Sequence, residues 1–219
     1  MTRIAYYGGS FDPVHIGHLA IAKTLIEQFG LDEFVFLPAF HAPHKKRKKP
    51  TSAYDRYAML CLLTENEPKI LVSKMEIEMP ERPYSVETLT TLNEELPDAE
   101  IFFVMGADSW MDITTWREWE KVLSLTNHIV VTRPGYPVTN EHVTAEIHSR
   151  IVDLRKAETR TVGSVYSSTG DHRIYLTDLV NINISATSIR EKIRNRDDSW
   201  HRDVPVEVAN YIEKYQIYN

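Results

Sequence analysis

The stretch Ile4-Ala5-Tyr6-Tyr7-Gly8-Gly9-Ser10-Phe11-Asp12-Pro13-Val14-His15-Ile16-Gly17-His18-Leu19 reads as a short apolar strand, a glycine turn and the start of a helix. Glycines let backbone N–H groups come close to a ligand, and the N-terminus of a helix favours an anion. Asp12 has the chemistry of a helix cap, and Pro13 suits a first helical position, where its missing N–H costs nothing. On that reading His15 falls in the first turn and His18 one turn further on, so both imidazoles share one face. Gly17 leaves that face open between them. The pattern predicts a phosphate site.

The glycines match neither GxGxxG nor GxxxxGK[ST], so the dinucleotide fingerprint and the P-loop are both excluded. Metal binding by the two histidines lacks an HExxH pattern and a third ligand nearby. The run Gly8-Gly9-Ser10-Phe11-Asp12-Pro13-Val14-His15-Ile16-Gly17-His18 resembles the signature of the HxGH nucleotidylyltransferases, and more narrowly that of bacterial nicotinate-nucleotide adenylyltransferases. A second motif of that superfamily, ISSTxxR, is similar to Ile184-Ser185-Ala186-Thr187-Ser188-Ile189-Arg190. Alanine stands where the second serine would be, so only Ser185, Thr187 and Arg190 carry over.

The resemblance implies a reaction and a set of residues. AMP passes from ATP, accompanied by Mg²⁺, to the phosphate of nicotinate mononucleotide, giving nicotinate adenine dinucleotide and pyrophosphate. His15, His18, Lys45 and Arg190 are the expected catalytic residues. Gly8, Gly9, Ser10, Phe11, His44, Gly106, Ser185 and Thr187 are expected around ATP and its phosphates. His44 and Lys45 belong to Pro38-Ala39-Phe40-His41-Ala42-Pro43-His44-Lys45, which looks like the family's proline–histidine–lysine loop. For the pyridine nucleotide the expected residues are Tyr84 and Ser85 in Pro83-Tyr84-Ser85-Val86-Glu87-Thr88-Leu89, Asp108 in Gly106-Ala107-Asp108-Ser109-Trp110, Trp116, and Arg133 before Pro134-Gly135. A tryptophan face suits a pyridine ring, a carboxylate suits ribose hydroxyls, and a helix starting at Ser85 suits a nicotinate carboxylate. Packing is the plainer reading for Trp110 and Trp119.

Strand–helix alternation along the chain predicts an α/β, Rossmann-like, doubly wound parallel sheet, formed by residues 1–219 as a single domain. Strands are expected at Ile4–Tyr7, Glu33–Leu37, Ile70–Ser73, Ile101–Met105, His128–Thr132 and Ile174–Leu176. Helices are expected from the first turn to about Phe29, from Ser52 to Thr64, from Ser85 to Glu95, around Trp116–Leu123, over Glu141–Lys156, over Ala186–Arg194 and over Pro205–Lys214. Ligands of such sheets bind beyond the carboxyl ends of the strands, near the point where strand order reverses. Gly8-Gly9, Pro38, Gly106-Ala107-Asp108 and Arg133-Pro134-Gly135 all fall at expected strand ends.

A chain of 219 residues with net charge −6 is long enough for a real core and opposes a general nucleic-acid binder. The basic run Lys45-Lys46-Arg47-Lys48-Lys49 is the local exception. It reads as a solvated loop, or as the binding element of a non-catalytic nucleotide or RNA binder, the rival from a different class. Within the superfamily the rival acceptors are nicotinamide mononucleotide and phosphopantetheine. A single cysteine, Cys61, rules out an internal disulfide and is expected in the buried face of a helix. No apolar window has the length of a membrane span and no signal-peptide pattern is present, so a cytoplasmic enzyme is expected. The oligomeric state is left open by the sequence.

Overall fold

The computed structural model describes residues 1–40, 51–79, 83–132, 137–156, 172–180, 182 and 184–218. His44, Lys45 and Arg133 therefore lie outside the described residues, as does the later part of the polar stretch, residues 157–171. Seven strands form one sheet: β1 (Thr2–Gly9), β2 (Glu33–Pro38), β3 (Ile70–Val72), β4 (Ala99–Gly106), β5 (Asn127–Val131), β6 (Ile151–Asp153) and β7 (Ile174–Thr177). They lie in the order β3-β2-β1-β4-β5-β7-β6, and every pairing is parallel. Strand order reverses between β1 and β4, where Tyr7 lies opposite Val104 and both strands run on to glycine.

Parallel strands covered on both faces are apolar throughout, and these separate their side chains by alternation. Ala5, Tyr7, Phe34, Phe36, Phe102 and Val104 face one layer of helices. That layer comprises α1 (Ile16–Phe29), α2 (Ala53–Thr64), α8 (Ala186–Arg194) and α9 (Val206–Lys214). Ile4, Tyr6, Val35, Leu37, Ile101, Phe103 and Met105 face the other, which holds α4 (Ser85–Glu95), α5 (Ala107–Met111), α6 (Trp119–Leu125) and α7 (Ala145–Ser149). Short α3 (Met75–Glu78) follows β3. Each large side chain buried in this way contributes about 1.5–3 kcal/mol against exposure. The doubly wound α/β class follows directly from this arrangement. Among the described residues no helix is long and apolar enough to cross a membrane.

Three local expectations are corrected. The helix expected over Glu141–Lys156 is instead α7, then edge strand β6, then a 3-10 turn over Leu154–Lys156. Ile147, Ile151 and Leu154 satisfy helical spacing, yet Val152 pairs beside Tyr175 and the edge of the sheet wins. Around Trp116–Leu123, Glu118 takes φ +50° and separates a 3-10 turn (Ile113–Thr115) from α6. Cys61 is half-buried rather than buried.

Candidate active site

The helix after β1 begins later than the sequence suggests. Asp12 does not cap it and Pro13 is not its first residue; His15 is the N-cap, in extended conformation at φ −147°, and Ile16 opens α1. The Asp12-Pro13 peptide is cis. This displacement places His18 in the third helical position, where its Nδ1 accepts the His15 backbone N–H at 3.2 Å. The two rings stack with centroids 3.7 Å apart and 29° between planes. Both are nearly buried, at 3% and 8% exposure. Phe11 and Tyr7 stand against the His18 ring, with centroids at 5.1 and 6.1 Å.

Because Nδ1 of His18 accepts a hydrogen bond, the neutral ring carries its proton on Nε2. His18 is thus oriented as an Nε2–H donor. A Cβ at Gly17 would lie 3.0 Å from His15 Nδ1 and 3.1 Å from Cε1, so glycine leaves room for the His15 ring itself. Gly8 and Gly9 act likewise: a Cβ there would lie 2.8 Å from the Phe103 ring and 2.7 Å from the Phe11 ring. Neither is needed for a positive φ, whereas Phe11 adopts φ +47°. The histidine rings open onto a cavity shared with Tyr7, Gly106, Thr132, Ile182 and Ile184, at the carboxyl ends of β1, β4 and β5.

The second motif comes to the same rim. Ser185 is the N-cap of α8, its Oγ accepting the Ser188 N–H at 3.1 Å. One guanidinium nitrogen of Arg190 donates to Thr187 Oγ1 at 3.1 Å and the other to the Asp12 carbonyl. His15, His18, Arg190 and Thr187, far apart in sequence, are thereby joined to one loop. Ser10 lies in that loop, its carbonyl accepting from Arg56 at 2.7 Å.

Arg56 was not singled out from the sequence. It is 1% exposed and spends its whole fork on carbonyls: Nη1 on Ser10, Nη2 on Ala39 (2.7 Å) and Phe40 (3.1 Å), Nε on Thr51 (3.1 Å). It fastens the ends of β1 and β2 to the start of α2. Burial pulls its pKa down, against the nearby Asp12 carboxylate, which raises it. The signal was an arginine in the apolar stripe Ala53, Leu60, Leu63 of α2.

Of the expected acceptor residues, Tyr84, Ser85, Asp108 and Trp116 lie on the side of the opposite helical layer. Tyr84 caps α4, its N–H donating to Glu87 Oε2 at 2.9 Å, and Ser85 begins the helix. The Tyr84 ring is 43% exposed and carries the Arg117 guanidinium 4.9 Å above it. Trp116 is half-buried with its ring edge-on to Phe103, and Asp108 is exposed, its Oδ1 lying over Gly106. Trp110 is fully buried, with Nε1 donating to the Thr139 carbonyl, and Trp119 packs on the same core. Glu76, beneath α4, accepts from Thr88 Oγ1 at 2.9 Å, and burial pushes its carboxyl up to about 7.

Comparison with known proteins extends this picture over nearly the whole chain. Residues 6–192 match the Cytidylyltransferase-like family. A Corynebacterium glutamicum protein named "Probable nicotinate-nucleotide adenylyltransferase" is 34% identical over 217 residues, covering 99% of this chain and 88% of its own. One of the same name from Desulfatibacillum aliphaticivorans is 36% identical over 218 residues and 99% of both chains. The chain belongs to the nicotinate-nucleotide adenylyltransferase family.

A solved structure, the Plasmodium falciparum nicotinic acid mononucleotide adenylyltransferase complexed with NaAD, superposes with a TM-score of 0.73 at 20% identity. That alignment covers 100% of this chain and 98% of the Plasmodium chain, so the family fold is shared along its full length.

Proposed function

We propose that this protein transfers AMP from ATP to nicotinate mononucleotide, forming nicotinate adenine dinucleotide and pyrophosphate. The observation that carries the reading is the His15–His18 pair at the start of α1, opening onto the cavity beside the reversal of strand order. Near-full-length relatives of that name support it.

The acceptor phosphate is already a nucleophile at neutral pH, so no activated hydroxyl or thiol is required. One of its oxygens attacks the α-phosphorus, the bond from that phosphorus to the bridging oxygen breaks, and pyrophosphate leaves with the electron pair. Repulsion between anions and charge growing on the leaving group oppose the step, so catalysis is positioning and charge stabilisation. His18 donates from Nε2 to the α-phosphate, and His15 serves neighbouring oxygens. Arg190, Thr187 and Ser185 support the triphosphate, together with His44 and Lys45 as further phosphate contacts. Gly8, Gly9, Ser10, Phe11 and Gly106 form the floor. Tyr84, Ser85, Asp108, Trp116 and Arg133 hold the pyridine nucleotide.

ATP arrives as its Mg²⁺ complex. The ion's ligands would be mainly phosphate oxygens and water, with few from the protein. The enzyme is read as one domain, in the cytoplasm, with no nucleic-acid partner.

Pyrophosphate release with MgATP tests the reading, with nicotinate mononucleotide, nicotinamide mononucleotide and phosphopantetheine run in parallel. Strong preference for the nicotinate compound is expected. Preference for another acceptor overturns the specificity, and no release with any of them overturns the reaction.

A further inference from the structure

Three distant stretches meet at Asp12. Its carbonyl accepts from Arg190, one carboxylate oxygen accepts from the Tyr218 hydroxyl at 2.7 Å, and the other accepts the Thr51 N–H at 3.4 Å. Tyr218 reaches the carboxylate from 206 positions along the chain, and it does so from φ +76°. An aromatic residue in the left-handed region is strained, and it stays there only where its surroundings hold it. Ile217 and Tyr218 pack on the core beneath α1, α2, α8 and α9, which anchors the ring while the hydroxyl points at Asp12. A phenol donating to a carboxylate is among the stronger hydrogen bonds, and a directional one.

We propose that Tyr218 is a positioning residue for adenylyl transfer: by holding the Asp12 carboxylate it fixes the loop from Ser10 to Val14. That loop leads into His15 and His18, and its Asp12 carbonyl is the rest on which Arg190 lies. The phosphate groups are thus aligned partly from the segment after α9. Tyr84 and Trp116, on the opposite layer, lie outside this chain of contacts. The inference rests on the adenylyl-transfer reading.

Tyr218→Phe keeps the ring and removes only the donor. A loss of alignment at the triphosphate gives about a tenfold rise in KM for ATP and about a tenfold fall in kcat. KM for nicotinate mononucleotide stays unchanged. Tyr211→Phe is the control: its hydroxyl donates to Asp55 at 2.9 Å with the same chemistry, but that bond joins α9 to α2. Its loss lowers Tm and leaves both KM values and kcat alone.

In an Asp12→Ala background, which removes the acceptor, Tyr218→Phe adds little, because the two changes break one link. Asp12→Ala alone gives an ATP-side defect at least as large, and it serves as the test if the phenylalanine variant does not fold. Calorimetric titration with MgATP, without acceptor, reads the ATP side independently of turnover. Wild-type inactivity with every acceptor overturns the functional reading, and the titration still decides the role of Tyr218. Unaltered ATP parameters in either variant, or a full Tyr218→Phe effect in the Asp12→Ala background, overturn the proposal.

Discussion

In the proposed mechanism His18 acts through Nε2, because its other nitrogen is engaged by the His15 N–H. Removing one preorganised donor of this kind costs about 2.7–4 kcal/mol in the transition state. His18→Ala is therefore expected to lower kcat by about 10²–10³ while circular dichroism and Tm report a folded protein; full activity would remove His18 from the mechanism. Gly17→Ala separates stability from function more finely. Alanine favours the helix by up to about 1 kcal/mol, but its Cβ crowds the His15 ring. Tm is expected to hold or rise while pyrophosphate release falls about tenfold, as small misplacements of reacting groups allow. The sequence singled out the two imidazoles that the structure brings together. It did not reveal their stacking, because the helix begins at Ile16 only once the Asp12-Pro13 turn is set against Thr51, Arg190 and Tyr218.

The loops beyond β1 and β2 are held to α2 by the fork of Arg56, whose four carbonyl acceptors come from Ser10, Ala39, Phe40 and Thr51. Lysine presents its donors from one point and cannot span them. Bonds from a charged donor are worth about 1.5–3 kcal/mol each and do not add fully, so Arg56→Lys is expected to cost about 3 kcal/mol in urea unfolding and to weaken ATP binding. A loss below 1 kcal/mol would show that the fork fastens nothing. Most elements were legible from apolar runs and turn residues. The stretch after α7 was not, because Ile147, Ile151 and Leu154 suit a helix as well as a strand. Only a neighbouring β7 decides between them, and no local pattern carries that information.

Two groups, the buried His128 and the half-buried Glu76, give the whole molecule opposed responses to acid. Burial pushes His128 down from 6.5 to about 3, against its bond to the Thr126 carbonyl, so unfolding takes up a proton there below pH 6.5. Burial pushes Glu76 up from 4.5 to about 7, against its Thr88 bond, so unfolding releases a proton there above pH 4.5. Between pH 4.5 and 6.5 these slopes, each about 1.4 kcal/mol per pH unit and opposite in sign, offset each other. Glu76→Gln leaves the histidine alone and should lose stability as pH falls through that window; His128→Phe leaves the glutamate and should gain it. Urea midpoints at pH 6.5 and 4.5 check both, and parallel behaviour of the two variants would contradict the assignment. The doubly wound class was legible from alternation, and the crevice between β1 and β4 follows from it.

The separations along the chain carry a consequence for how activity is acquired. Asp12 takes its partners from 178 and 206 positions away, and Gln28 meets Thr177 across 149. Contacts this remote close large loops, which makes them slow and late to form. Helices and neighbouring strands can be regained while the loop from Ser10 to Val14 is still without its distant supports. On dilution from urea, far-ultraviolet dichroism should recover ahead of enzymatic turnover, and the interval between the two measures the time the chain needs to bring its later residues back to its earliest loop.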